Sequence, residues 1–183
     1  MDKADIRRKI KTMKSMLLES EKKSAADRLF ERLEKTAAFV MAENILMYHS
    51  LADELSTHGF LKKWQGRKNF FLPRVNGVNL EILPYEETRL ELGAFHIEEP
   101  TGNNVVDISE IEMIVVPGVA YDRKGNRLGR GKGFYDRLLA ETKATKIGVA
   151  YDFQLVEEIP AESHDVAMDI VITPASIHII RKN

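Results

Sequence analysis

Short apolar runs in this chain alternate with stretches of helical period, and that alternation constrains the fold more than any other feature. Asn44 to His49 (NILMYH) reads as a buried strand ending at Ser50. Glu112 to Val116 is a second, stopped by Pro117-Gly118, and Lys146 to Ala150 a third. Ile170 to Thr173 and Ile177 to Ile180 read as terminal strands. Asn69 to Pro73 and Leu80 to Leu83 are shorter strands around an Asn76-Gly77 turn.

Between these runs lie helical patterns. Residues 4–18 carry Ile6, Ile10, Met13 and Leu17 at helical spacing. Ser24 to Asp27 reads as a capping box that opens a second helix reaching about Ala38. Ser56 or Thr57 is placed to cap a helix carrying Phe60, Leu61 and Trp64. Phe134 to Glu141 reads as a helix and Leu155 to Ile159 as a short helical piece. Glu91 to Thr101 is expected to be a long loop, and Asp122 to Asn126 a polar turn. The alternation is clearest from Glu112 onward. It predicts an α/β fold: a single domain over residues 1–183, with a mostly parallel central sheet flanked by helices. In such sheets ligands bind at the carboxyl ends of strands. The polar candidates fall there: His49, Ser50 and Glu54 after one strand, Tyr121 and a glycine loop after another.

Several function classes are disfavoured. The absence of cysteine excludes disulfides and thiolate metal sites. A net charge of −1 argues against a general nucleic-acid binder. No apolar run approaches the ~18 residues of a membrane span. Met1-Asp2-Lys3 leads into a charged helical pattern without a signal-peptide apolar region. A cytoplasmic protein is expected, a monomer or weak homo-oligomer with no nucleic-acid or membrane partner.

The chemistry concentrates in Leu128-Gly129-Arg130-Gly131-Lys132-Gly133-Phe134-Tyr135-Asp136-Arg137. Glycine at alternating positions clears the backbone, and N–H groups so exposed at a helix start attract phosphate oxygens. Residues 122–137 carry six Lys/Arg against two Asp, a local +4. Polyphosphate handling calls for such a concentration of charge. The segment matches neither a Walker A loop nor a Rossmann fingerprint. The same fragment also suits a mobile surface turn or a nucleic-acid contact loop. Asp136 suits a first helical turn or a Mg²⁺ site shared with phosphates. Asp169, entering a strand, is the second carboxylate, and the pair becomes persuasive only if the two meet in space. Lys3 and Arg7 share one helix face. Glu54 is either a loop acid near a cap or an acceptor for heterocycle N–H groups. His164-Asp165 reads as a structural histidine or an orienting pair. No HExxH or GxSxG is present.

Taken in order, these residues resemble the 5-formyltetrahydrofolate cyclo-ligase family almost end to end. The resemblance includes Lys3-x-x-Ile6-Arg7, Glu54-Leu-Ser-Thr57, Leu72-Pro73-Arg74 and Gly93-x-x-x-Ile97-Glu98-Glu99-Pro100. It continues through Val116 to Asp122, Asn126 to Asp136, and Pro160-x-x-x-His164-Asp165-x-x-x-Asp169. Phe134 departs from it where the family often has tyrosine, and Lys14 where it often has arginine. The resemblance implies ATP-driven, Mg²⁺-dependent closure of 5-formyltetrahydrofolate to 5,10-methenyltetrahydrofolate. The residues it implies for ATP are Lys3, Arg7, Arg127, Leu128, Gly129, Arg130, Gly131, Lys132, Gly133, Phe134 and Tyr135. Arg130 and Lys132 would act on the transferred phosphoryl group. His49, Glu54 and Tyr135 would hold the folate, and Asp136 with Asp169 the metal. A different phosphoryl-transfer enzyme and a binding module without turnover remain the competing readings.

Overall fold

A computed structural model describes residues 1–181, with Thr88 described for its backbone only. Helix α1 (Lys3–Ser15) is opened by Asp2, whose carboxylate accepts from Asp5 N at 2.8 Å. Helix α2 (Glu19–Glu34) is capped at Leu18, six residues before the expected Ser24 box. The cause is Glu21, whose carboxylate accepts from Leu18 N at 2.9 Å and satisfies an end group there. Ser24 and Asp27 therefore lie inside the helix. It also stops at Glu34, and a separate α3 (Ala37–Met41) follows, capped by Thr36.

Strand β1 (Asn44–Leu46) is shorter than its apolar run, although Met47 N still donates to Phe71 O at 2.8 Å. Thr57 precedes α4 (His58–Trp64) but does not cap it. Its hydroxyl donates to Tyr48 O at 2.7 Å and accepts from Ser50 N at 3.1 Å, fastening the chain after β1. The hairpin β2 (Asn69–Asn76) and β3 (Asn79–Pro84) turns at Asn76-Gly77 as expected. The expected long loop from Glu91 instead holds a second hairpin, β4 (Leu90–Leu92) and β5 (Glu98–Pro100). It is tied to β2 because Glu99 accepts from Val75 N at 2.7 Å. Beyond β6 (Met113–Val116), β7 (Ala120–Tyr121) and β8 (Arg127–Leu128) form a short ribbon around the polar turn. Helix α5 (Phe134–Leu139), β9 (Thr145–Val149), β10 (Ile170–Ile172) and β11 (Ile177–Ile179) complete the chain. The helical piece expected at Leu155 to Ile159 is absent. A 3₁₀ turn at Asp152–Gln154 precedes it, closed by the Gln154 side chain accepting from Tyr151 N at 2.8 Å.

The main sheet has seven strands in the order β11-β10-β9-β6-β1-β2-β3. The five central strands are parallel, and the two edges pair antiparallel. Ile45, Met47, Met113, Val115, Ile147 and Val149 pack on one face with α2, α3 and α4. Leu46, Ile114, Val116 and Val171 pack on the other with Leu138 and Leu139 of α5. Burial on both faces explains why these strands read as continuous apolar runs. A third cluster of Ile6, Ile10, Ala120, Leu128 and Ile159 docks α1 on the β7–β8 ribbon. From β1 the chain runs outward to β2 and β3, then returns to β1's other side as β6. That reversal opens a crevice beyond the carboxyl ends of β1 and β6. Among the described residues, no helix is long and apolar enough to cross a membrane.

Candidate active site

A cavity of about 580 Å³ occupies this crevice. Its lining gathers the segments after β1 and β6, the start of α1, the β4–β5 hairpin and the chain from Arg127 to Asp136.

The glycine loop forms one wall. Gly131 has φ +98° and Gly133 φ +74°, a region costly to any residue with a Cβ. A Cβ on Gly129 would lie 3.0 Å from the Arg127 guanidinium. The N–H groups of Arg130, Gly131, Lys132 and Gly133 donate to no described residue. Arg127, Arg130, Lys132, Lys3 and Arg7 add positive charge around the same cavity. Arg7 is fixed by donating through Nε to Gly129 O at 3.0 Å. Lys3 reaches Glu162 at 3.5 Å. Lys132 Nζ lies 5.1 Å from the centre of the Phe95 ring.

Arg127 is more enclosed than Lys3 or Arg130. It donates to Pro117 O at 2.8 Å, lies over the Tyr135 ring and stands 3.5 Å from Asp136. Burial pushes the Tyr135 hydroxyl above its ordinary value.

The opposite wall begins after β1. Glu54 accepts from Leu51 N at 2.9 Å, and its other oxygen is 3.9 Å from Arg130. Burial raises its carboxyl above the usual range, against the pull of that N–H and of Arg130. His49 stacks on His58 with ring centres 4.0 Å apart. Burial first, and His58 second, lower its pKa. Its Nδ1 is 3.5 Å from Glu98 of the hairpin.

Of the residues expected in the site, all but one line this cavity: Lys3, Arg7, His49, Glu54 and the run Arg127 to Asp136. Asp169 does not. It precedes β10 at the amino-terminal edge of the sheet, where its carboxylate accepts from Lys146 N at 2.8 Å. The cavity lies beyond the carboxyl ends, so the structure does not bring Asp136 and Asp169 together. Among the described residues, no cluster of three His, Asp or Glu is placed to hold a metal. Of that pair only Asp136 lines the cavity, which fits an ion held by one carboxylate and substrate phosphates.

The structure adds an apolar surface made by Pro73, Val75, Leu80, Phe95 and Ile97. Pro73 and Ile97 stand inside motifs already visible in the sequence; Phe95, in an apparent loop, carried no signal. His164 is exposed and lines the cavity, 3.3 Å from Glu162 and 3.5 Å from Asp165.

This chain is similar to known proteins over most of its length. Proteins named 5-formyltetrahydrofolate cyclo-ligase include one from Haemophilus influenzae, 37% identical over 142 residues, 72% of this chain and 76% of that one. One from Escherichia coli K12 is 34% identical over 148 residues, 75% and 81% of the two chains. The NMR structure of 5,10-methenyltetrahydrofolate synthetase from Aquifex aeolicus superposes with a TM-score of 0.90 at 31% identity, covering 100% of this chain and 95% of that one. The sequence model of the 5-formyltetrahydrofolate cyclo-ligase family matches residues 1–174, every segment that builds the cavity among them, and the chain belongs to that family.

Proposed function

We propose that this protein uses ATP and Mg²⁺ to convert 5-formyltetrahydrofolate to 5,10-methenyltetrahydrofolate, ADP and phosphate, with residues 1–183 acting as one domain. The observation that carries this reading is the run Arg130 to Gly133, whose backbone N–H groups donate to no described residue. That run lines the same cavity as Glu54, His49 and the apolar wall. One end offers donors to phosphate, the other a carboxylate and apolar surface to a heterocycle.

The formyl carbon is a poor electrophile because amide resonance, worth ~18–20 kcal/mol as a rotation barrier in peptides, stabilises it. Transfer of the γ-phosphoryl group to the formyl oxygen removes that protection and makes a leaving group. N10 then attacks the same carbon from within the molecule and loses its proton. The C–O bond breaks and phosphate departs with the electron pair. Holding N10 beside the carbon supplies proximity, so the protein's task is positioning and charge neutralisation.

In this reading the glycine-loop N–H groups, Lys3 and Arg7 hold the nucleotide. Arg130 and Lys132 stabilise charge on the transferred group. Glu54 accepts from pterin N–H donors, His49 lines that pocket and Tyr135 packs against the folate. Phe134 offers ring surface only. Asp136 would hold Mg²⁺, which when bound offsets phosphate charge; Asp169 is given no part, since it lies outside the cavity.

The test follows methenyl product and ADP together with purified protein, 5-formyltetrahydrofolate, ATP and Mg²⁺. Equal amounts of both are expected, with none of either when ATP is omitted. Lys132→Ala should lower kcat by about 10²–10³-fold, the cost of one transition-state donor. Its thermal midpoint should stay near wild type, since among the described residues the Lys132 side chain meets only the Phe95 ring. ADP without methenyl product would point to another acceptor and defeat the reading.

A further inference from the structure

Three arginines hold the glycine loop in place. Arg7 donates to Gly129 O at 3.0 Å, and Arg137 donates to Lys132 O at 3.2 Å. Arg130 is the third, and it reaches out of the loop. Its Nη2 donates to both carboxylate oxygens of Asp53, at 3.1 and 3.2 Å, in the turn that follows β1. Glycine at 129, 131 and 133 leaves the loop few side chains to pack, so its position depends on these ties.

Arg130 spends one nitrogen on Asp53. Its Nε and Nη1 make no hydrogen bond to any described residue. Arg130 lines the cavity, whereas Asp53 does not. The next carboxylate is Glu54, 3.9 Å from the same nitrogen. Lys14 of α1 faces this group and feels Asp53, Arg130 and Glu54.

We propose that Asp53 is a positioning residue: it tethers Arg130 by one nitrogen and leaves the other donors of the guanidinium aimed at the phosphates of the nucleotide. This rests on the cyclo-ligase reading, in which Arg130 serves the transferred phosphoryl group. The physical reason is competition between acids. An arginine side chain is long and rotamer-rich, and a partner that holds it in place removes that freedom before substrate arrives. Without Asp53 the guanidinium's nearest carboxylate is Glu54. Moving onto Glu54 would draw it off the phosphate and occupy the group assigned to the pterin.

The test is a double-mutant cycle in the full-length protein: Asp53→Ala, Arg130→Ala and both together, with Asp53→Glu as the conservative variant. The readouts are kcat and KM for ATP, and calorimetric affinity for a non-hydrolysable ATP analogue. Asp53→Ala should lower kcat/KM for ATP about fivefold, the upper range for a half-exposed ion pair. Its thermal midpoint should match wild type, and Asp53→Glu should recover most of the loss. With Arg130 already replaced, removing Asp53 should change nothing further.

Additive losses in the double variant would overturn the tether while leaving the proposed function standing. Tighter analogue binding by Asp53→Ala would also overturn it, because Asp53 would then be competing with phosphate for Arg130. An Arg130→Ala protein with wild-type turnover and affinity would defeat both the tether and Arg130's assigned role. If the wild-type protein makes no methenyl product, the function reading fails, and the cycle in analogue affinity still decides the tether.

Discussion

At the scale of single residues the site is a set of charges whose surroundings divide their work. Glu54 shows this best, because burial works against its ionised form while Leu51 N favours it. Glu54→Gln keeps an oxygen for Leu51 N and removes the buried charge. A carboxyl raised by folding binds its proton more tightly in the folded state than in the unfolded one. Ionised Glu54 therefore opposes folding at neutral pH; the opposition fades as pH falls through the raised folded value and is gone below the ordinary value of 4.5. Glu54→Gln is expected to raise the thermal midpoint at pH 7. At pH 4 the difference should largely vanish. Folate affinity should meanwhile fall roughly tenfold or more, as for a lost hydrogen bond to a charged acceptor, with ATP affinity unchanged. Melts at the two pH values and calorimetry with each ligand check this. Glu54 was legible as a candidate because it follows an apolar run into a polar turn. That its neighbour Asp53 takes Arg130 was not, because the partners stand 77 positions apart.

At the scale of elements, two glycines of similar appearance differ in what they do. Gly148 lies inside β9, where a Cβ would come within 2.5 Å of the fully buried Tyr121 ring. Gly59 lies in α4 with nothing within 4 Å of a Cβ. Gly148→Ala should destabilise by ~1–3 kcal/mol through overpacking. Gly59→Ala should stabilise by ~0.5–1 kcal/mol, since glycine is a poor helix residue. Denaturant unfolding of both variants measures the contrast; equal effects would mean that Tyr121 yields freely. Local pattern located β6, β9 and α5 to within a residue or two, because apolar period and a Pro-Gly stop are local signals. It misplaced the start of α2, since Glu21 and Ser24 both offer cap chemistry and only packing chooses between them. It missed the β4–β5 hairpin because Leu90 to Leu92 is too short to announce itself. What fixes that hairpin is Glu99 reaching Val75 N on another element.

At the scale of the whole molecule, the crevice between β1 and β6 collects groups from nearly the full length of the chain, Lys3 to Asp165. Asp136 is the one carboxylate of the expected metal pair inside it, and it stands 3.5 Å from Arg127. Mg²⁺ should therefore bind weakly to the protein alone and well only beside nucleotide phosphates. Calorimetric titration of Mg²⁺ should give little heat without an ATP analogue and a clear isotherm with it. Asp136→Asn should raise the Mg²⁺ needed for half-maximal rate. Strong binding by the protein alone would reveal ligands that this arrangement does not supply. By itself the sequence determined the α/β class, the central strands and the residues of the glycine loop, because periodicity and glycine chemistry act over a few positions. The tertiary structure decided what those residues meet. It set Glu54, Arg7 and the glycine loop around one cavity and left Asp169 at the far edge of the sheet. Strand order and crossover, which no local pattern encodes, determine which carboxyl ends adjoin.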